Sequence, residues 1–195
     1  MKLSAEEMLS KYSANKSHAV EVRRLAMMIF DEVSMKLHAL SNKQRSYLEA
    51  AALLHDIGYA IESDDHNIHS MEIVIENGIE GFNDHDAEII GCICRYHRGS
   101  LPKKNKHDVY KSFDKKDRKT VKRLGGILKL SDGFDRAHLS LIKKIKIEYD
   151  EENNIVEFLI TPNIQEYRPD ISYAVRKRDL FEVGFKCQSV LKFSE

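Results

Sequence analysis

Apolar residues recur every three to four positions through the first 140 residues of the chain and at every second position after them. Helices are therefore expected first and strands later. Ser17 is placed to cap a long helix whose apolar side is Val20, Leu25, Met28 and Ile29. Asn42 caps the next, which runs through Tyr47, Ala51 and Leu54 to His55, with Gly58 as its stop. The spacing predicts a short helix over 68–76, closed by Asn77-Gly78, and another from Asp84 through Ile89, Ile90 and Ile93 to about His97. The stretch RGSLPKKNKHDVYKSFD has loop composition, and at about 17 residues it is long for a connection, as a lid or binding loop would be. Helix resumes at about Asp117 and continues through Ile127 and Leu130 into SDGFDRAH.

After Leu141 the period falls to two. Residues 144–149 and 155–160 alternate, with DEENN between them, which reads as a β-hairpin with a polar turn. Residues 171–185 read as helix and 189–193 as a third strand. The expected fold is mainly α: a helical bundle over 1–141, with a small C-terminal antiparallel β-sheet and helix over 142–195 packed on it as a single compact unit.

The 195 residues carry no formal net charge, yet the segment 98–146 holds sixteen basic and five acidic residues. Such a stretch either faces a polyanion or is a set of solvated helix faces. The three cysteines, Cys92, Cys94 and Cys187, give no disulfide framework. On a helix Cys92 and Cys94 diverge, which argues against a two-thiolate metal clip. No apolar run is long enough to span a bilayer, and MKLSAEEMLS lacks a signal-peptide core, so a cytoplasmic location is expected.

One polar intrusion breaks the apolar pattern. Residues 53–58 read LLHDIG and set an imidazole beside a carboxylate where a core should begin. Buried polar groups need partners, either hydrogen bonds or a cation. Further candidates stand on other elements: His18, His69, His97 and Asp132. Imidazole nitrogens and carboxylate oxygens suit Zn, Mn, Fe or Mg, and a helical bundle can bring them together in its interior. His38, His85 and His107 have polar, unpatterned surroundings and read as ordinary histidines. His66 is intermediate, because it shares DDHNIH with His69.

His18, His55-Asp56 and Asp132, in that order on successive helices, resemble the H…HD…D pattern of the HD-domain superfamily of metal-dependent phosphohydrolases. AALLHDIGY, NIHS, RYHRGSLP and LKLSDGFDRAH further resemble the C-terminal HD-type domain of the exopolyphosphatase/guanosine pentaphosphate phosphohydrolase (Ppx/GppA) family, and the hairpin followed by DLFEVGF is similar to that domain's tail. The resemblance implies an HD-type helical metal-binding domain. It implies that His18, His55, Asp56 and Asp132 hold one divalent ion, and that Asp56 bridges to a second held by His69 and His97. In that family the phosphatase chemistry is attributed to N-terminal actin-like domains with phosphate-binding loops. No Gly-rich cradle of that kind is present in these residues, so the fold and its metal positions carry over and the named substrate does not.

Asp56, with one or two divalent ions, would activate water for attack on phosphorus. Arg98, Lys103, Lys104 and Arg136 are the cations expected to meet a substrate phosphate, with Arg98 and Arg136 also expected to act in catalysis. The roles of His138, Glu62, Asp64 and Asp65 are left open, with a solvated loop preferred for the three acids. The expected function is hydrolysis of a phosphorylated anion: a nucleotide, an oligo- or polyphosphate, or a phosphodiester. The alternative is a non-catalytic nucleotide- or polyphosphate-binding module with a structural metal. Neither sequence-specific nucleic-acid binding nor a membrane partner is expected, since no reading motif or stacking platform is visible, and a homodimer is left open.

Overall fold

The computed structural model describes residues 2–12, 15–164 and 166–194. A short helix α1 (Ala5–Tyr12) precedes α2 (Lys16–Lys36), the longest in the chain. Asn15 rather than Ser17 caps α2, its side chain accepting from the His18 N–H. Helix α3 (Asn42–Leu54) likewise starts one residue earlier than its sequence suggests: Ser41 and Gln44 form a reciprocal capping box. A 3-10 turn (Ile57–Ala60), α4 (His66–Asn77) and α5 (Asp84–Arg95) follow. The lysine-rich connection is shorter than its composition implies, because α6 (Asp108–Ser112) forms inside it and Asp114 caps α7 (Lys115–Phe134).

Helix α7 is the central element. Val121, Leu124, Ile127, Leu128 and Leu130 are completely buried, and the helix packs against α2, α3 and α5. At about 25 cal/mol per Å² of apolar surface, each such side chain contributes roughly 1.5–3 kcal/mol. From Arg123 to Ser131 every residue of this helix is buried, so it must be wrapped on all sides, and α8 (Ser172–Lys177) and α9 (Asp179–Phe185) cover its remaining side. The single helix expected over 171–185 is thus two. Lys129 is buried among them and pairs with Asp179 at 2.8 Å.

The strands are β1 (Ile142–Asp150), β2 (Ile155–Pro162) and β3 (Gln188–Phe193), in the order β1-β2-β3. Ile145 and Ile147 face inward opposite Ile160 and Phe158, while Lys144 and Lys146 point to solvent. Strands β1 and β2 are antiparallel, as expected of a hairpin, but β3 runs parallel to β2, so the small sheet is mixed. The reason is connectivity: α8 and α9 carry the chain back to the start of β2, and only a crossover of that length permits a parallel neighbour. The sheet is fixed to α2 by Glu32, which accepts from the Ile147 N–H at 2.9 Å, and by Lys36, which donates to the Ile147 carbonyl at 2.7 Å. The architecture is mainly α with a small β appendage. Among the described residues, no helix is long and apolar enough to cross a membrane.

Candidate metal centre

The His-Asp pair of LLHDIG sits where α3 ends and the 3-10 turn begins. Gly58 lets this turn press against the start of α4: a Cβ there would lie 1.9 Å from the His66 carbonyl oxygen. Ser70 clamps the junction, donating to the His55 carbonyl at 2.6 Å and accepting from the Gly58 N–H at 2.9 Å. Asp56 and His66 are thereby brought together from elements ten residues apart. His18 arrives from the first turn of α2, His97 from just past α5, and Asp132 from the last turn of α7.

Each oxygen of Asp56 faces a different group of imidazoles. Oδ2 lies 3.4 Å from His55 Nε2 and 3.8 Å from His18 Nε2, while Asp132 Oδ1 is 3.3 Å from the same His18 atom and 4.0 Å from His55 Nε2. Oδ1 lies 3.3 Å from His66 Nε2 and 3.5 Å from His97 Nε2. Donor atoms sharing one ion at about 2.0–2.2 Å are at most about 4.4 Å apart, and each of these separations fits.

The hydrogen bonds settle which nitrogens are free. Nδ1 of His55, His66 and His97 each meets a backbone carbonyl, of Ala52, Ser63 and Cys94, at 2.8, 2.8 and 2.6 Å. Nδ1 of His18 meets Asp135 Oδ2 at 2.8 Å. Carbonyl and carboxylate oxygens only accept, so Nδ1 donates in His18, His55 and His97. In His66 the Ser63 carbonyl at 2.8 Å is a closer partner than the Arg98 guanidinium at 3.2 Å, so its Nδ1 is assigned as a donor too, and the four Nε2 lone pairs turn toward Asp56. Nε2 of His18 and of His55 is buried and has no hydrogen-bond partner among the described residues, and the Nε2 atoms of His66 and His97 face each other at 3.3 Å. Imidazole lone pairs and carboxylate oxygens converging on Asp56 form an arrangement that a divalent cation satisfies; the Nδ1 partners supply the orienting bonds typical around metal-bound histidines.

Burial disfavours a charged His18, but Asp132, Asp135 and Asp56 outweigh it and raise this imidazole to about 9. Burial and the neighbouring His55 instead push His97 down to about 3. Asp56 and Asp132 resist burial because the surrounding histidines, with Lys177 beside Asp132, hold both carboxyls below the usual range.

A cavity of about 650 Å³ opens over this cluster, lined also by Tyr59, Arg98, Arg136, His138, Tyr173 and Lys177. The family model for Ppx/GppA phosphatase, domain III, matches residues 2–171, nearly nine-tenths of the chain. The chain belongs to this family. The matched span of this Ppx/GppA domain III contains all six side chains of the cluster and ends just before α8, which adds Tyr173 and Lys177 to the cavity wall.

The structure brings some of the residues singled out in the sequence of this Ppx/GppA domain together and leaves others apart. His69 does not join Asp56: its Nδ1 meets Glu72 at 2.8 Å and its Nε2 lies 3.7 Å from Glu62. His66, three residues earlier and left as intermediate, stands in the place expected for it. Lys103 and Lys104 are exposed in the turn before α6 and line no part of the cavity. Arg98 does line it, with Nη1 3.2 Å from His66 Nδ1, and so does Arg136, stacked 4.8 Å over Tyr173. Asp64 lies at the rim.

Three contributors were given no role by the sequence reading. Lys177 forms an ion pair with Asp132 Oδ2, made possible by close packing of Ala174 against Gly133. Asp135, past the end of α7, orients His18 and accepts from the Ser140 N–H at 2.9 Å. His138 stacks on His18 with ring centroids 3.9 Å apart and has φ of 55°. A left-handed backbone at a non-glycine residue is uncommon, and no residue pattern announces it. The signal available was adjacency: all three are a few residues from a predicted ligand or on the helix that follows the hairpin.

Proposed function

We propose that this domain is an HD-type, metal-dependent phosphohydrolase. Its first divalent ion is held by His18, His55, Asp56 and Asp132, and its second by Asp56, His66 and His97. The single observation that carries the reading is Asp56, whose two oxygens separately face two sets of free imidazole lone pairs. Bound ions in such a pair supply a Lewis acid that activates water and neutralises phosphate charge.

The chain's own residues do the rest. Arg98, Arg136 and Lys177 line the cavity and offer cationic donors to non-bridging phosphate oxygens. Asn15 Nδ2 donates to His138 Nδ1 at 2.8 Å, because the Asn15 oxygen already accepts from Ser17 and from the His18 N–H. His138 therefore carries its proton on Nε2, at the cavity wall, where it can donate to a departing oxygen. Tyr59 stacks on His66 with centroids 3.9 Å apart and holds that ring in place. A volume of about 650 Å³ admits a nucleotide or a short phosphate chain.

The test is phosphate release by the purified chain, stripped of metal and reloaded with Mn, Mg, Fe or Zn, on phosphomonoesters, phosphoanhydrides and phosphodiesters. Turnover should require metal and fall at least about 1,000-fold in Asp56→Ala. Stoichiometric metal without turnover on any of these classes would instead mark a metal-stabilised phosphate-binding module.

A further inference from the structure

A second cavity, of about 440 Å³, opens among the first turns of α3, α5 and α7. Arg123, on its wall, is nine residues before Asp132 on α7, or about 14 Å along the helix axis. Its cations outnumber its carboxylates: Lys43, Lys116, Lys119 and Arg123 against Asp86 and Asp117. Both carboxylates are already engaged. Asp86 accepts from the Tyr47 hydroxyl and pairs with Lys43 at 2.9 Å, and Asp117 meets His85 Nε2 at 2.8 Å. Among the described residues, Lys116, Lys119 and Arg123 have no carboxylate within ion-pair distance.

Arg123 is the unusual member, because it is only 9% exposed. Its Nε donates to the Gly184 carbonyl at 3.3 Å, and its guanidinium lies 5.4 Å over the Phe185 ring. Neither terminal nitrogen has an acceptor among the described residues. A buried cation with no counter-charge is destabilising, and a guanidinium fork with both ends open matches an oxyanion. The field in the cavity is positive: burial together with Arg123 and Lys119 holds His38 below its ordinary value. A single carboxylate would bring one charge to three uncompensated cations, whereas a diphosphate brings two or three and can engage the fork and both lysines at once.

We propose that this cavity is a second binding site, separate from the metal centre, for a small anion bearing phosphate groups, with inorganic pyrophosphate as its simplest representative.

The experiment is calorimetric titration of the full chain, stripped of divalent ions, with pyrophosphate, orthophosphate and citrate. An Arg98→Ala/Arg136→Ala variant removes two exposed cations from the first cavity, and its pyrophosphate affinity should stay within about twofold of the unsubstituted protein. Lys116→Glu/Lys119→Glu, both at exposed positions, should weaken binding at least tenfold, as should Arg123→Met, which keeps the aliphatic stem packed on Phe185. If Arg123→Met loses its helical circular dichroism, the lysine pair decides. Orthophosphate should bind more weakly than pyrophosphate. The proposal is overturned if the Arg98→Ala/Arg136→Ala variant shows no saturable binding, if the lysine swap leaves affinity within twofold, or if citrate binds as tightly as pyrophosphate.

Discussion

Gly58→Ala would separate the two halves of the metal centre. An alanine Cβ at this position would sit 1.9 Å from the His66 carbonyl oxygen and 2.5 Å from the Ser70 nitrogen, both backbone atoms that cannot rotate away. Restoring even a 3.0 Å contact requires the 3-10 turn and α4 to part by about 1.1 Å. His66 Nε2 is 3.3 Å from Asp56 Oδ1, so the same displacement takes this pair to about 4.4 Å, the limit at which both can bind one ion. His18, His55 and Asp132 stand on α2, the end of α3 and α7, and are not displaced by that movement. The substitution also strains the Gly58–Ser70–His55 hydrogen bonds of 2.9 and 2.6 Å. Overpacking of about 1–3 kcal/mol, with one or two buried hydrogen bonds at about 1 kcal/mol each, gives a stability loss of roughly 2–5 kcal/mol. Urea unfolding measures the loss, and elemental analysis after manganese loading should show the bound ions falling from two to one. A variant within about 0.5 kcal/mol of the parent, retaining both ions, would refute the claim that Gly58 sets the Asp56–His66 approach.

Two further outcomes follow from the same geometry. The metal-free protein should be most stable near pH 6.5. His18 is raised from 6.5 to about 9, so its contribution is complete below 6.5 and disappears as pH rises toward 9. His97 is lowered to about 3, so the unfolded chain takes up the extra proton and stability falls as pH drops from 6.5 toward 3. The His18 contribution is at most roughly 3 kcal/mol. Denaturation across pH with and without manganese checks the sign: bound metal should abolish the alkaline loss, and an alkaline limb unchanged by metal would contradict it. His138→Gln should lower kcat about 10²–10³-fold with metal content unchanged, since a proton donor to the leaving group acts only in turnover; loss of metal along with activity would assign His138 to the centre's assembly instead.

The long helices were legible because α2, α3 and α7 carry a clean 3.6-residue apolar period and capping residues within two positions of their observed starts. Strand direction was not. A period of two predicts that residues 189–193 pair with something, but it is the same for parallel and antiparallel neighbours, and only the α8–α9 crossover decides. In DDHNIH, residue types alone could not choose between His66 and His69. The choice is made by the close approach at Gly58 and by the first turn of α4, where His66 Nδ1 bonds back to the Ser63 carbonyl and His69 is left to Glu72. Lys177 was invisible for a related reason: a lysine in a helical segment carries no chemical signature until packing brings it to Asp132.

A crystal of the chain grown with manganese, with data collected at the metal's absorption edge, tests the central arrangement most directly. Two anomalous peaks should flank Asp56, one touched by His18, His55 and Asp132 and the other by His66 and His97. A lone peak bound through His69, or density with no peak between the Nε2 atoms of His18 and His55, would contradict it.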